Sequence, residues 1–309
     1  MLINQANLRV VFDGFNTSFN KGFEGAKSHY KDVAMAVPST AGNNTYGWLG
    51  QFPKLREWVG DRVIKNLVAH SYAVENKLFE NTIGVPRVAI EDDQFGIFGP
   101  MFTEMGRTTA QHPDELIFSL LAAGFTTECY DGQYFFDTDH PVADAQGVPQ
   151  SVSNFQAGGG APWFLLDCSR AIKPMLFQTR VPYTFTRLDK DTDDNVFWRD
   201  QYIYGVRARA NAGFGLWQLA YASKADLTAD NYEAARAAMM ALKGDEARPL
   251  GIQPDTLVVP PSLEGDAMRL LNNGNRIVVA DNGSGTMTPV SVTNEWAGTA
   301  KPIVTAWLG

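Results

Sequence analysis

At 309 residues the chain is long enough to bury a substantial core, as one large domain or two to three smaller ones. Apolar residues make up 45% and charged residues 19%, with 19 Phe, 10 Tyr and 7 Trp, which excludes a disordered chain or a coiled coil. The formal charge of -8 and the lack of any Lys or Arg stripe exclude tight nucleic-acid binding, although an acidic wall is compatible with enclosing DNA. Cys129 and Cys168 stand at no metal-ligand spacing and read as free, reduced thiols. Residues 1–14 lack a basic region followed by an apolar run, and no stretch has the apolar length of a membrane span, so synthesis in the cytoplasm is expected.

Phe12, Phe15, Phe19 and Phe23 recur at spacings of three and four and predict an amphipathic helix over 11–33, against which Gly14 and Gly22 count. Turn formers over 38–44 read as a linker, and residues 46–62 are dense in aromatics and glycines. Over 63–92, short β-branched and aromatic runs at 67–74 and 82–90 predict a long two-stranded excursion with too few apolar side chains to form a core. Residues 95–123 read as helical. The stronger half begins at His112-Pro-Asp-Glu115 and ends before Gly124; if 95–110 is helical too, Pro113 marks a kink rather than a start.

Asp131-Gly132 predicts a tight turn, and 144–162 a loop. Residues 175–188 and 196–212 read as an antiparallel pair joined by the acidic segment 189–194. A helix is expected over 228–243, with Thr228 as N-cap and Gly244 past its end, and a strand at 255–259 leads into a helix at 262–271. No internal repeat is present.

Polar clusters were weighed for chemistry. Asp189, Asp191, Asp193 and Asp200 follow the start and the twelfth place of a calcium loop. However, Asp194 replaces its glycine and Asp its final Glu, so a solvated hairpin tip is expected. Asp137-Thr-Asp-His140 with Cys129 upstream suggests a metal cluster or a Cys/His pair, yet no second spaced His supports it among His29, His70, His112 and His140, which leaves a capped turn. Asn282-Gly-Ser-Gly285 lacks the outer glycines of a nucleophile elbow, and Gly213-Phe-Gly-Leu-Trp-Gln218 the third glycine of a dinucleotide loop. Glu91-Asp-Asp93 reads as a surface patch. No catalytic residue, cofactor or metal is expected.

Longer motifs are more specific. Tyr46-Gly-Trp-Leu-Gly50, Leu55-Arg-Glu-Trp58 with Arg62, Glu75-Asn-Lys-Leu-Phe-Glu80, Glu91-Asp-Asp93, Cys129-Tyr-Asp-Gly-Gln-Tyr-Phe-Phe136 and Asp139-His-Pro141 occur in that order. Phe164-Leu-Leu-Asp-Cys-Ser-Arg-Ala-Ile-Lys-Pro174 and Tyr204-Gly-Val-Arg-Ala-Arg-Ala-Asn-Ala-Gly-Phe-Gly-Leu-Trp-Gln218 follow. Across most of its length the chain thus resembles the major head subunit family of Mu-like phages.

The resemblance implies an α+β, HK97-type capsid fold. Its parts would be an N-terminal arm and linker (1–62), an extended E-loop hairpin (63–92), a peripheral domain with a long spine helix and β-hairpin (93–221), and a mainly axial domain with the C-terminal strand (222–309). In this fold the chain crosses from peripheral to axial domain and returns near its end; the sequence marks neither crossing.

The implied function is a non-enzymatic subunit that assembles with itself into pentamers and hexamers of an icosahedral head. Such a head encloses double-stranded DNA without sequence-specific binding. Portal, scaffold, protease and cement proteins are the other implied partners, with no membrane, and the virion is the implied location after assembly in the bacterial host cytoplasm. Candidate subunit contacts are Arg56, Trp58, Arg62, Lys77, Glu80, Asp92 and Asp93, with Arg56, Arg62, Asp92 and Asp93 as ion pairs that fix register. The E-loop is expected to lie over a neighbour, so that deleting 77–85 leaves a folded, assembly-defective subunit. Gly84, Gly96, Gly99 and Gly106 would act as hinges during shell expansion or as ordinary turn formers. Rival functions are a nanocompartment shell of the same fold, or a cation-dependent hydrolase using Asp189, Asp191 and Asp193 or the 137–140 cluster.

Overall fold

Asn4 accepts a hydrogen bond from the amide of Asn7 (2.9 Å) and so caps helix α1 (Gln5–Gly25). The computed structural model describes residues 3–47, 49, 72–92, 94–244, 247–281 and 287–308. Helix α1 begins before residue 11 and ends well short of the expected residue 33. The cause lies far along the chain: the Ser28 hydroxyl and the amides of His29 and Tyr30 all donate to the Asp114 carboxylate, at 2.7–3.0 Å. A carboxylate that satisfies these donors holds the backbone out of the helix. A short helix α2 (Tyr30–Val33) and strand β1 (Ala34–Pro38) follow.

Strands β2 (Asn43–Thr45) and β3 (Ala73–Glu75) pair antiparallel, so part of the expected linker is strand. Residues 63–71 of the expected excursion lie outside the described residues. Its return arm, β4 (Lys77–Pro86), is followed by a helix, α3 (Arg87–Glu91), where a strand to residue 90 was expected. After a 3-10 turn at Phe95–Phe98 comes the longest helix, α4 (Gly99–Ala122), with Pro113 inside it. Pro113 therefore does not start the helix; it removes the amide that the Thr109 carbonyl would otherwise accept.

The expected loop at 144–162 follows strand β5 (His140–Ala143) and contains β6 (Pro149–Val152), its hairpin partner, and then β7 (Phe155–Gln156), ahead of β8 (Trp163–Leu166). The long antiparallel pair is β9 (Met175–Leu188) and β10 (Gln201–Phe214), joined by helix α5 (Asp194–Arg199), which replaces the start of the expected second strand. Strand β11 (Ala220–Ser223) precedes helix α6 (Ala229–Met240), capped by Thr228 as expected. Gly244 does not end that helix but sits in a short pair of β12 (Lys243–Gly244) with β13 (Arg248–Pro249). Strand β14 (Thr256–Val259), helix α7 (Glu264–Leu271), the ribbon β15 (Asn275–Asp281) with β16 (Met287–Thr293), β17 (Lys301–Val304) and a 3-10 turn at Ala306–Leu308 complete the chain.

Two sheets organise these elements. A four-stranded sheet has the order β1-β9-β10-β4, and a five-stranded sheet the order β17-β14-β8-β11-β7. Along β10 the residues Tyr202, Tyr204, Val206, Ala208 and Ala210 alternate into the interior, so one face of the first sheet is covered and the other is more exposed. Helices α1 and α4 supply the cover. Phe15 stacks on Phe102 (4.2 Å between ring centroids) and meets Tyr204 edge to face (5.1 Å), while Phe19 stacks on Phe185 (4.9 Å). Strands β8 and β14 are buried on both faces, in a second and larger core with Trp163, Trp217, Tyr232 and Phe214.

The chain passes between the two sheets twice after α4. Residues 167–174 carry the chain from the five-stranded sheet to the four-stranded one, and 215–219 carry it back. The final turn at Ala306–Leu308 returns to α4. The expected boundary at 221/222 falls inside β11, a strand hydrogen-bonded to both β8 and β7.

Helices α1 and α4 touch backbone to backbone. A methyl group at Gly22 would lie 1.9 Å from the Thr103 carbonyl oxygen, and one at Gly106 would lie 2.0 Å from that of Phe19. Gly106 is thus a packing glycine rather than a hinge. Gly106→Ala should destabilise the subunit by about 2–3 kcal/mol through overpacking, whereas Gly14→Ala, on an exposed helical position with open space around it, should stabilise by about 0.5–1 kcal/mol; denaturant midpoints check both.

His112 shares a 2.6 Å hydrogen bond with the Tyr183 hydroxyl and packs edge-on against Phe79 (4.3 Å), where α4, β9 and β4 meet. Burial lowers its pKa from the ordinary 6.5, against a smaller opposing effect of Glu115. The unfolded chain therefore binds the proton more tightly, and this contribution is complete above pH 6.5 and lost as pH falls below it towards the folded value. Unfolding midpoints measured from pH 7 to 5 should decline, and His112→Gln should flatten that decline.

Candidate functional site

Exposed apolar side chains gather at projections. At the tip of the β9–β10 hairpin, Asp193 accepts from the amide of Lys190 (2.9 Å), and the Asn195 side chain donates to the carbonyls of Leu188 (3.1 Å) and Gln201 (2.7 Å). These bonds fold α5, whose Val196 turns into the core between the first sheet and its helices. Phe197 and Trp198 are left outside, 74% and 77% exposed and packed only edge to face on each other (5.0 Å). Asp200, in the left-handed region at φ 51°, turns the chain into β10.

A second projection is the β15–β16 ribbon. Its register places Ile277 and Val279 on the same face as Met287 and Pro289, and Ile277 is 75% exposed. The Asn294 side chain fixes the root by donating to the carbonyls of Leu270 and Asn273, both at 2.8 Å, and Arg276 pairs with Glu295 beside it. Isolated two-stranded ribbons are marginal in water, and one with a bare apolar face is suited to being covered. A third surface is β4, an edge strand of its sheet with Leu78 exposed.

Of the expected contact residues, Arg56, Trp58, Arg62 and Asp93 lie outside the described residues. Lys77 and Glu80 are both exposed on β4 but three positions apart, hence on opposite faces of the strand; Glu80 accepts from the Thr82 hydroxyl (2.6 Å). Asp92 is exposed just past α3. The ion pair seen nearby is Arg87 with Glu91 (3.0 Å) and Asp191 (3.3 Å), within the chain. Phe197, Trp198, Ile277 and Val279 were missed. Two adjacent aromatics in an acidic segment were the available signal, because a strand would bury one of them and only a helical turn at a tip exposes both.

The acids of the calcium-like spacing do not converge. Asp189 is buried beside Arg187 (3.2 Å), with burial raising its pKa; Asp191 faces Arg87, Asp193 serves the turn, and Asp200 closes α5. Asp137 accepts from the amides of Tyr134 and Thr138 and so caps its turn. His140 instead meets Asp131 (Nδ1 to Oδ2, 2.8 Å), which also accepts from the Cys129 thiol (3.1 Å). Burial pushes the Cys129 thiol up; at Asp131 the opposing hydrogen bonds from His140 and Cys129 outweigh burial and hold the carboxyl below its usual range.

The family model for the Mu-like prophage major head subunit gpT matches residues 8–308. The major capsid protein of Escherichia phage Mu is 42% identical over 314 residues, covering all of both chains. A chain of the bacteriophage JBD30 procapsid is 45% identical with a TM-score of 0.83, covering 99% of this chain and 100% of that one. A chain of the JBD30 capsid decorated with minor capsid protein trimers gives 35% identity and a TM-score of 0.72, over 91% of this chain and 90% of that one. A fold match across nearly the whole length, at identities where side-chain packing is shared, places the chain in the family of Mu-like phage major head subunits, as a major capsid protein of HK97-type fold.

Proposed function

We propose that the hairpin tip with Phe197 and Trp198, the β15–β16 ribbon and the segment around β4 are the surfaces by which copies of this chain join into the pentamers and hexamers of a head shell. The observation that carries this is the contrast between two well-packed cores and large apolar side chains left bare at separate projections. Contacts in obligate assemblies commonly bury roughly 2,000 Å² or more, and several modest contacts per subunit make a closed shell stable while each remains reversible.

In this reading residues 63–92 form the E-loop, and β4 anchors it to the subunit. All ten residues of β4 pair with β10, and Val85 is fully buried. Deleting 77–85 would therefore damage the fold, so substitutions of exposed side chains make the better test. Helix α4 is the spine, the four-stranded sheet the body of the peripheral domain, and most of the five-stranded sheet with α6, α7 and the ribbon the axial part. Lys77, Glu80 and Asp92 are exposed where a neighbour would lie.

The shell would assemble in the host cytoplasm with portal, scaffold and protease, enclose DNA behind an acidic wall, and accept minor capsid proteins as the decorated JBD30 shell does. A role without catalysis is supported by acids that are engaged one by one and by a Cys–Asp–His group sealed in the core.

Electron microscopy and sedimentation of the purified chain test the proposal. Closed shells or capsomers are expected, and a stable monomer at assembly concentrations would count against it. The double variant Phe197→Ser, Trp198→Ser should keep its unfolding midpoint, within about 0.5 kcal/mol in stability, and yield at least tenfold fewer shells.

A further inference from the structure

The turn that follows α4 brings three different metal-ligating side chains together in the interior. We infer that Cys129, Asp131 and His140 form a binding site for one divalent transition-metal ion of the zinc class. The inference is independent of how subunits assemble.

Their ligand atoms all lie within 4.8 Å of one another. The Cys129 Sγ is 3.1 Å from Asp131 Oδ1, and the His140 Nδ1 is 2.8 Å from Asp131 Oδ2. Zinc bonds of about 2.3 Å to sulfur and about 2.0–2.2 Å to nitrogen and oxygen set tetrahedral donors about 3.3–3.5 Å apart. To admit the ion, the thiol–carboxylate and imidazole–carboxylate pairs would open by about half an ångström, and the thiol and imidazole, no more than 4.8 Å apart, would settle at the same spacing.

The donors are already held in place. His140 stacks face to face on Trp217 (3.9 Å, 9° between planes), the amide of Gln133 donates to Asp131 (3.1 Å), and Gly132 at φ +85° closes the turn between Cys129 and Gln133. All three side chains are shielded: the His140 side chain is 0% exposed and that of Asp131 7%.

Charge argues the same way. Without a metal, two protons bridge these atoms, one from the thiol and one from the imidazole, around a carboxylate buried in low dielectric. With a dication, a thiolate and a carboxylate balance its charge and leave a neutral cluster, the form that costs least to bury. The balance is one ion bound and one proton released: the thiol proton leaves, and the imidazole proton moves from Nδ1 to Nε2, an atom with no hydrogen-bond partner among the described residues. A thiolate with an imidazole selects a zinc-like ion over magnesium or calcium, which prefer all-oxygen shells. Three protein donors leave the fourth position to water. The bound ion would tie the turn after α4 to β5, against the segment where the chain crosses from β10 to β11.

The full-length chain, dialysed against a chelator and titrated with Co²⁺ as probe, tests this. One equivalent should produce a thiolate-to-cobalt charge-transfer band in the near ultraviolet that Zn²⁺ bleaches, and Zn²⁺ should raise the unfolding midpoint, reversibly on adding chelator. Since Cys129 and Cys168 are the only cysteines, Cys168→Ser should keep the band and Cys129→Ser should lose it. If Cys129→Ser does not fold, the band in Cys168→Ser identifies the thiol by itself. Absence of the band from the wild type, or its survival in Cys129→Ser, would overturn the proposal and leave a hydrogen-bonded triad.

Discussion

Helices α1 and α4 lie so close that neither Gly22 nor Gly106 has room for a methyl group, and much of the subunit follows from that contact. Backbones this near keep α1 flat against the long helix. Its Phe15 and Phe19 then reach Phe102, Phe185 and Tyr204 and seal one face of the four-stranded sheet. The sheet is mixed, with β1 parallel to β9, but its long strands β9, β10 and β4 run antiparallel, and such strands need only one covered face. Asp114 completes the arrangement from α4 by gathering the backbone amides of residues 29 and 30, which fixes where α1 stops and where β1 joins the sheet.

A shell subunit must be stable alone and unsatisfied in company. The two cores meet the first need, with large aromatics fully buried. Beside them, large apolar side chains stay bare among the described residues: Phe197 and Trp198, packed on each other, stand at the end of two fourteen-residue strands, and Ile277 and Val279 on a ribbon whose root Asn294 holds. Long levers with rigid roots present apolar tips at defined positions without involving the core.

Much of the secondary structure was legible. The Phe12 to Phe23 spacing, the Thr228 cap and the Asp131-Gly132 turn each act over a few residues, and local patterns report local forces. What failed was set at long range. Helix α1 stops because of Asp114, and Pro113 sits inside α4 rather than at its start, in a helix whose two halves pack on different cores. Phe197 and Trp198 were read as strand because α5 depends on bonds from Asn195 to both flanking strands. His140 was read with Asp137 and Cys129, whereas the carboxylate that joins it to the thiol is that of Asp131, on the other side of the turn.

The sequence by itself determined the family, the α+β class and the absence of a basic binding stripe, because these rest on residue identity and order. Only the tertiary structure decided where the chain crosses between sheets, which apolar residues stay outside, and that a thiol, a carboxylate and an imidazole share one buried point. The first two are consequences of strand pairing and helix packing between residues tens of positions apart, and the third of a turn folded back on itself and stacked on Trp217, and a side chain's surroundings are unknown until both partners are in place.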